Sequence, residues 1–149
     1  ATVAMTARLA LLHAAATLFM TGLIWFVQIV HYPLFAAVGV QGFSAYADVH
    51  VRLTTAVVAG PMLVEMVTGL LLYWHRPVGV PKALLGWGVV SLLVIWTSTW
   101  LLQVPQHRIL SLAFDAEAHS LLVATNWLRT GTWSLRSLLA LAIIARTQR

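Results

Sequence analysis

Three polar side chains lie inside long apolar stretches, where their chemistry stands out from that of their neighbours. They are Glu65, Asn126 and Arg129. An ionised group near the centre of a bilayer costs on the order of 2.5–3.5 kcal/mol, so such groups face the interior of a helix bundle and find partners there. Counted along their helices, Glu65 and Arg129 are both predicted roughly 15–18 Å below the outer membrane surface. We therefore expect an ion pair, direct or bridged by water, between the second and fourth helices.

This pair has a structural and a functional interpretation. In the structural one it only pins two helices together, but buried ion pairs are weak evidence for stability. In the functional one Glu65 is a base or a ligand, and Arg129 with Asn126 orients an anionic or carbonyl group. Fixed positive charge at a site of low dielectric acts strongly on developing negative charge. Arg136 lies nearer the cytoplasm on the same helix, and we expect its long side chain to reach that surface.

Histidines form a second group of candidates, because four of the six are predicted near the outer boundary: His31, His50, His107 and His119. Imidazole is the commonest protein ligand of transition metals and an axial ligand of haem. With Glu65 below them, these histidines are predicted to form a mononuclear or dinuclear metal site, or to hold a b-type haem. The alternative is that each histidine separately bonds water, headgroups or backbone at the membrane surface.

Aromatic and polar side chains also follow one face of the third helix. Trp96, Thr99 or Trp100, and Gln103 make up this face. Aromatic residues are suited to flank a quinone or another flat, lipid-soluble aromatic ligand, which makes Trp96 a candidate cofactor-binding residue. Tryptophan in membrane helices more often serves packing or the interfacial belt, and that alternative stays open.

The helices that must position these groups appear as four apolar stretches, at about residues 9–35, 54–74, 83–104 and 119–145. Each is near the ~20 residues needed to span ~30 Å of hydrocarbon. Hydrophobic residues make up 60% of the 149 residues and charged ones only 9%, too few to cover so apolar a core in water. The sequence therefore predicts a single all-α domain, residues 1–149, folded as an integral membrane antiparallel four-helix bundle.

Basic residues are distributed unevenly between the two sides of this bundle. Those on one side are Arg8, Arg76, Lys82, Arg146 and Arg149, against Arg52 and Arg108 on the other. The positive-inside rule predicts that the first side faces the cytoplasm. Both termini are therefore predicted on the cytoplasmic side of a bacterial inner membrane. The outer loops, 36–53 and 105–118, are predicted to carry short amphipathic helices. In the first loop, Phe43, Tyr46 and His50 share one face that would lie on the membrane surface.

Composition excludes several other classes of function. The net charge of +5 comes from scattered residues and does not form the basic patch of a nucleic-acid-binding protein. The chain has no cysteine, so disulfides, thiolate metal sites and iron–sulfur clusters are excluded. It also contains no glycine-rich nucleotide loop and no nucleophile elbow.

The segment Asn126-Trp127-Leu128-Arg129-Thr130 resembles the last helix of a broad set of uncharacterised small bacterial four-helix integral membrane proteins. The likeness extends to Trp133 and Arg136, His31-Tyr32-Pro33, Phe43 to His50, Pro61 to Glu65, and Pro105-Gln106-His107. The last-helix segment is also similar, more distantly, to an Asn/His-x-x-Arg segment of the anthrone-oxygenase-like membrane family. That resemblance implies an oxygenase or oxidoreductase acting on an aromatic, lipid-soluble substrate, with Asn126 and Arg129 as site residues.

The leading hypothesis from the sequence is a membrane oxidoreductase or redox-cofactor protein whose site opens to the outer face. A second hypothesis is a non-catalytic accessory subunit of a larger bioenergetic or pigment-binding membrane complex. A third is a small-molecule transporter, which is less favoured because only the Gly60-Pro61 region suggests a helix broken within the membrane.

Overall fold

The computed structural model describes residues 2–147, and within that range every regular element is helical. The α-helices are α1 (Thr2–Phe26), α2 (Phe43–His75), α3 (Lys82–Ser98), α4 (Val104–Leu112) and α5 (Ala116–Thr147). Because α3 and α4 are joined by a helical turn, the chain forms four long helical rods, which confirms the predicted all-α four-helix architecture. Arg149, counted above among the cytoplasmic basic residues, lies outside the described range.

We call the end of the bundle that carries residues 32–42 and 113–115 the outer end, and the end that carries residues 76–81 the inner end. At the inner end, α2 and α3 are connected by a short turn in which Gly79 has a φ of 78°. At the outer end, the Asp115 carboxylate accepts the Ala118 backbone N–H at 2.7 Å. This cap satisfies a free donor at the start of α5 and places negative charge at the positive end of the helix dipole.

Two turns in the outer half are wider than an α-helical turn. The first is a π-helical turn, Val27–His31, in which the Tyr32 N–H donates to the Val27 carbonyl at 2.9 Å. The second, Thr99–Gln103, joins α3 to α4. A π-turn inserts an extra residue into a helix and is found frequently at functional sites. The presence of both π-turns therefore favours a functional site in the outer half of the bundle.

The second helix begins earlier than the sequence predicts. Residues 43–50, expected as a separate helix on the membrane surface, are the first two turns of α2. Their apolar face is buried in the protein core, where Phe43 and Ala47 are almost completely covered. The third helical rod also continues past Pro105, which stands in the first turn of α4 directly after the π-helical turn Thr99–Gln103.

Three helical segments are long and apolar enough to cross a membrane: Val3–Ala37, Val40–His75 and Lys82–Leu112. The fourth rod, α5, is as long but more polar, because Asn126, Arg129 and Arg136 lie along it. All three of these side chains are buried. The exposed surface of α5 carries apolar side chains instead, among them Leu128, Leu135, Leu138 and Leu141.

Candidate functional site

Glu65 pairs with Arg136 and not with Arg129. The Arg136 Nε donates to Glu65 Oε1 at 3.1 Å, and the Trp133 indole N–H donates to Glu65 Oε2 at 2.9 Å. The side chains of Arg136 and Glu65 are only 1% and 2% exposed. The predicted ion pair between Glu65 and Arg129 is therefore wrong, and so is the expectation that Arg136 extends to the cytoplasmic surface.

The wrong pairing arose from the wrong start of the second helix. Glu65 lies 22 residues after the start of α2, and Arg136 lies 20 residues after the start of α5, whereas Arg129 lies only 13 residues after it. Since both helices run from the outer end inward, Glu65 and Arg136 are at similar depths. A helix start at residue 54 made Glu65 appear closer to the outer end than it is.

The Arg136 guanidinium is surrounded by hydrogen-bond partners. Its Nη1 donates to the Gly88 carbonyl at 2.7 Å and to Ser91 Oγ at 3.1 Å, and its Nη2 lies 3.4 Å from His13 Nε2. The other ring nitrogen of His13 lies 2.9 Å from the Thr68 hydroxyl. We call Glu65, Arg136, Trp133, His13, Thr68 and Ser91 the inner network. Because its charges and donors are matched within the protein, this network is suited to joining helices rather than to binding a ligand.

Arg129 has different surroundings. Among residues 2–147, no carboxylate lies within ion-pair distance of its guanidinium. The Nη1 donates to Asn126 Oδ1 at 3.3 Å, and the guanidinium carbon lies 5.2 Å from the centre of the Trp133 ring, a cation–π contact. Its Nε has no hydrogen-bond partner in the described part of the chain. Neutral groups therefore fix the position of Arg129 without compensating its charge.

The Asn126 side chain is itself fixed by the first π-turn. Its Nδ2 donates to Gln28 Oε1 at 2.9 Å, and the Gln28 amide donates in turn to the Val123 carbonyl at 3.1 Å. These bonds orient the Asn126 oxygen toward Arg129. Asn126 and Arg129, predicted together as site residues, are hydrogen-bonded to each other in the interior of the bundle, although Gln28 was not recognised as the residue that orients them.

Three of the predicted histidines form a chain of ring contacts at the outer end. His31 Nε2 lies 2.8 Å from His50 Nδ1, and the His50 ring stacks on His107 with 5.3 Å between ring centres. His107 Nε2 then lies 3.1 Å from the Tyr32 hydroxyl. Tyr32 is also an electrostatic neighbour of Arg129. Three imidazoles, the Tyr32 phenol and the uncompensated Arg129 guanidinium therefore lie together at the outer end of the bundle.

His119 and Phe35 complete this cluster in structural roles. The His119 Nε2 donates to the backbone carbonyl of Tyr32 at 2.7 Å, which joins the start of α5 to the end of the first rod. The buried Phe35 ring lies at the centre, with all four imidazole centres within 6.5 Å of its own. The predicted convergence of the outer histidines is therefore present in the structure.

The predicted metal site and haem do not fit this geometry. Within residues 2–147, no three His, Cys, Asp or Glu side chains are placed so that they could hold a metal ion. The facing nitrogens of His31 and His50 are occupied by their mutual hydrogen bond, and His119 Nε2 is occupied by a carbonyl. A separation of 4.8 Å between the ring centres of His31 and His50 leaves no space for a porphyrin between them. Glu65, expected to complete the site, belongs to the inner network.

A cavity of about 290 Å³ lies beside the cluster, and we call it the outer cavity. Its polar lining includes Tyr32, His50, His107, Gln103 and Arg129. The remaining lining residues are aliphatic and hydroxyl side chains of α2, the second π-turn and α4, together with Arg108. This volume is near the lower limit for small-molecule sites, which typically combine apolar walls with a few polar groups.

His31 does not line the outer cavity but a smaller neighbouring one of about 210 Å³. The two cavities share Thr54 and Val58 of α2 as a wall. The hydrogen bond between His31 and His50 therefore links the two spaces. Trp96, predicted to bind a cofactor, packs against the apolar core and lines neither of these cavities.

Sequence reasoning missed Tyr32 as a site residue and did not assign a role to Gln103. The signal for Tyr32 was the His31-Tyr32-Pro33 segment, which contributed only to the resemblance to small bacterial membrane proteins. Gln103 was noted on a polar face of the third helix, but only the π-turn shows that it reaches a cavity.

The chain matches no family model, no curated protein and no solved structure. The resemblances to small bacterial membrane proteins and to the anthrone-oxygenase-like family therefore remain predictions.

Proposed function

We propose that this protein spans the bacterial cytoplasmic membrane four times, with both termini on the cytoplasmic side. Three segments have the length and composition of membrane spans. The fourth rod, α5, buries its arginines and exposes leucines, as expected of a helix whose outer surface meets lipid. The excess of basic residues in the inner half supports the orientation.

We further propose that the outer cavity binds a quinone-like, lipid-soluble aromatic molecule and exchanges protons with it, as in a membrane oxidoreductase. The observation that carries this proposal is Arg129, a buried cation without a carboxylate, at a cavity whose wall is apolar over most of its area. A carbonyl oxygen placed beside it would gain a charge-assisted hydrogen bond. The same bond would strengthen as the oxygen gains negative charge during reduction.

The groups around the cavity are suited to proton exchange. Interconversion of a quinone and its quinol moves two protons together with two electrons. His107 with Tyr32 offers one route for a proton at the cavity wall, and His50 with His31 offers a second. Imidazole is the side chain best suited to this role near neutral pH. The electrons would be exchanged with a separate redox protein or group.

Binding of 1,4-naphthoquinone to the purified protein in lipid nanodiscs tests the proposal. Equilibrium dialysis, corrected for uptake by empty nanodiscs, should show saturable binding to the intact chain. The Arg129→Gln variant should bind at least about tenfold more weakly, since a hydrogen bond from a charged donor is lost. The Arg52→Gln variant is the matched control, because Arg52 is an exposed residue outside the cavity lining. Equal binding by all three proteins would contradict the proposal.

An absorption spectrum and elemental analysis of the same preparation test the form of the redox site. The histidine geometry predicts no haem band and no stoichiometric transition metal. A haem band or one metal per chain would show that the histidines adopt another arrangement.

A further inference from the structure

Two buried polar atoms that belong to residues lining the outer cavity lack a hydrogen-bond partner among the described residues. They are the Arg129 Nε, a donor, and the Gln103 Oε1, an acceptor. Both side chains are more than nine-tenths buried. Buried polar groups are nearly always paired in folded proteins, so an unpaired donor and an unpaired acceptor on one wall indicate what a ligand would have to supply.

The orientation of the Gln103 amide is determined by its neighbour. The Thr125 hydroxyl donates its hydrogen to the Leu121 carbonyl at 2.6 Å, so the Thr125 oxygen is left only as an acceptor. The Gln103 amide nitrogen donates to that oxygen at 2.8 Å. A flipped amide would place two acceptors against each other. The carbonyl oxygen of Gln103 is therefore the atom without a partner, and the group that it needs is a donor.

The two open positions have opposite requirements. At Arg129 the ligand must present an acceptor oxygen, whereas at Gln103 it must present an O–H or N–H. A quinone has two carbonyl acceptors and no donor. A quinol has a hydroxyl at each end, and each hydroxyl is able to accept or donate.

We infer, on the basis of the proposed quinone-like ligand, that the outer cavity binds the reduced, quinol form more tightly than the quinone. One quinol hydroxyl donates to Gln103 Oε1, while the oxygen at the other end accepts from Arg129 Nε. A quinone in the same position places a carbonyl against the Gln103 oxygen and leaves that buried acceptor without a donor. Leaving a buried polar group unpaired weakens binding, here by about tenfold.

This preference has a consequence for the bound redox couple. A ligand that binds more tightly when reduced is easier to reduce at the site than in solution. For a two-electron couple, each tenfold of preference raises the midpoint potential by about 30 mV.

Stable analogues allow the preference to be measured without reoxidation by air. The probes are 4-methoxy-1-naphthol, which carries one hydroxyl and one ether oxygen, and 1,4-dimethoxynaphthalene, which carries two ethers and no donor. We expect the intact chain to bind the naphthol about tenfold more tightly. In Gln103→Leu this ratio should fall close to the value set by partition into lipid alone. Because both probes partition in the same way with every variant, the change in the ratio reports the Gln103 contact.

The matched control is Gln106→Leu, since Gln106 lies one turn further along and does not line the cavity. It should retain the full preference for the naphthol. Gln103→Met serves as a second variant, with a side chain of similar length and no amide, if the leucine variant does not fold.

A preference that is absent from the intact chain, or that persists in both Gln103 variants, would overturn the inference and indicate that water fills the position beside Gln103. If 1,4-naphthoquinone binds in an Arg129-dependent manner under these conditions, the proposed function survives that result. If none of the three probes binds, the proposed function fails together with the inference.

Discussion

Helix α5 carries two buried arginines two turns apart, and their surroundings are opposite. Arg136 meets a carboxylate, a hydroxyl, a backbone carbonyl and an imidazole, so its charge and donors are matched inside the protein. Arg129 meets an amide and an aromatic ring, retains an unpaired donor and faces a cavity. The comparison teaches that residue type and burial alone do not distinguish a structural charge from a functional one. Complete pairing is the feature that separates them.

Trp133 connects the two regions. Its indole N–H donates to Glu65 in the inner network, and the face of the same ring lies beneath the Arg129 guanidinium. The ring is completely buried. The inner network therefore fixes the ring against which Arg129, the arginine proposed to bind a ligand, is packed, and the first two predictions separate the roles of these two arginines.

The largest expected effect is on stability, from Arg136→Gln. This change leaves the Glu65 carboxylate buried without its cation, which typically costs about 3–5 kcal/mol. Unfolding of the variant in mixed micelles, followed by circular dichroism against an increasing fraction of denaturing detergent, measures the loss. A loss below about 1 kcal/mol would show that the inner network is not the main link between α2 and α5.

The same substitution at the other arginine should have the converse effect. Arg129→Gln removes a cation that has no carboxylate partner and loses mainly the contact with Trp133, so we expect a change in unfolding free energy of about 1 kcal/mol. Binding of naphthoquinone, by contrast, should weaken at least about tenfold. If Arg129→Gln unfolds as readily as Arg136→Gln, Arg129 also stabilises the fold, and the two arginines do not differ in role.

A third prediction concerns the tight packing around the inner network. In Gly69→Ala the added methyl group would lie 2.9 Å from Leu92 Cδ1 and 3.2 Å from His13 Cε1, which forces neighbouring side chains to move. Overpacking of this kind costs about 1–3 kcal/mol, and the gain in helix propensity of about 1 kcal/mol offsets part of this cost, so we expect Gly69→Ala to be less stable than the control in the same unfolding measurement. Gly60→Ala is the control, since nothing lies within 4 Å of its added methyl group and the helix gains in propensity. Equal stability of the two variants would contradict the close approach of α1, α2 and α3.

The smallest effect is expected for His119→Phe in the outer cluster. The Tyr32 carbonyl loses one donor but still accepts from the Phe35 N–H at 3.1 Å, so a cost of about 1 kcal/mol is expected. Binding of naphthoquinone should stay within about twofold, because His119 does not line the cavity. In His107→Phe, which alters the cavity wall itself, the binding should change more. If His119→Phe changes naphthoquinone binding more than His107→Phe does, His119 belongs to the binding site.

The sequence was sufficient for the all-α, four-helix architecture and for the convergence of the outer histidines. Four apolar stretches predicted four helices, and the positions of His31, His50, His107 and His119 predicted that they would meet. Both inferences use only periodicity and length, because apolar patterning and helix rise are local properties. The approximate depth of a residue follows from them.

Which buried side chains pair inside the bundle could not be predicted from the sequence in the same way. It depends on where each helix starts and on how it is rotated, and an error of eleven residues at the start of α2 was enough to match Glu65 with the wrong arginine. The polar residues Arg52, Thr54 and Thr55 interrupt the apolar pattern of α2. This interruption made one continuous helix resemble a surface helix followed by a separate membrane-spanning helix. The rotation of a helix about its axis is equally hard to predict from sequence. It changes at a π-turn, and no local sequence pattern indicates a π-turn.

The π-turn at Thr99–Gln103 makes the outer cavity dependent on a count of residues. An α-helix advances about 100° and 1.5 Å with each residue, so removing one residue from this turn would rotate α4 relative to α3 by that angle. His107, about one turn downstream, would then leave Tyr32, while Ser91, the inner-network residue on α3, lies before the π-turn and would keep its place. Such a deletion would remove the outer cavity from a bundle that is otherwise still able to assemble. A chain shortened by one residue in this turn should therefore retain the fold and lose the binding proposed for the cavity.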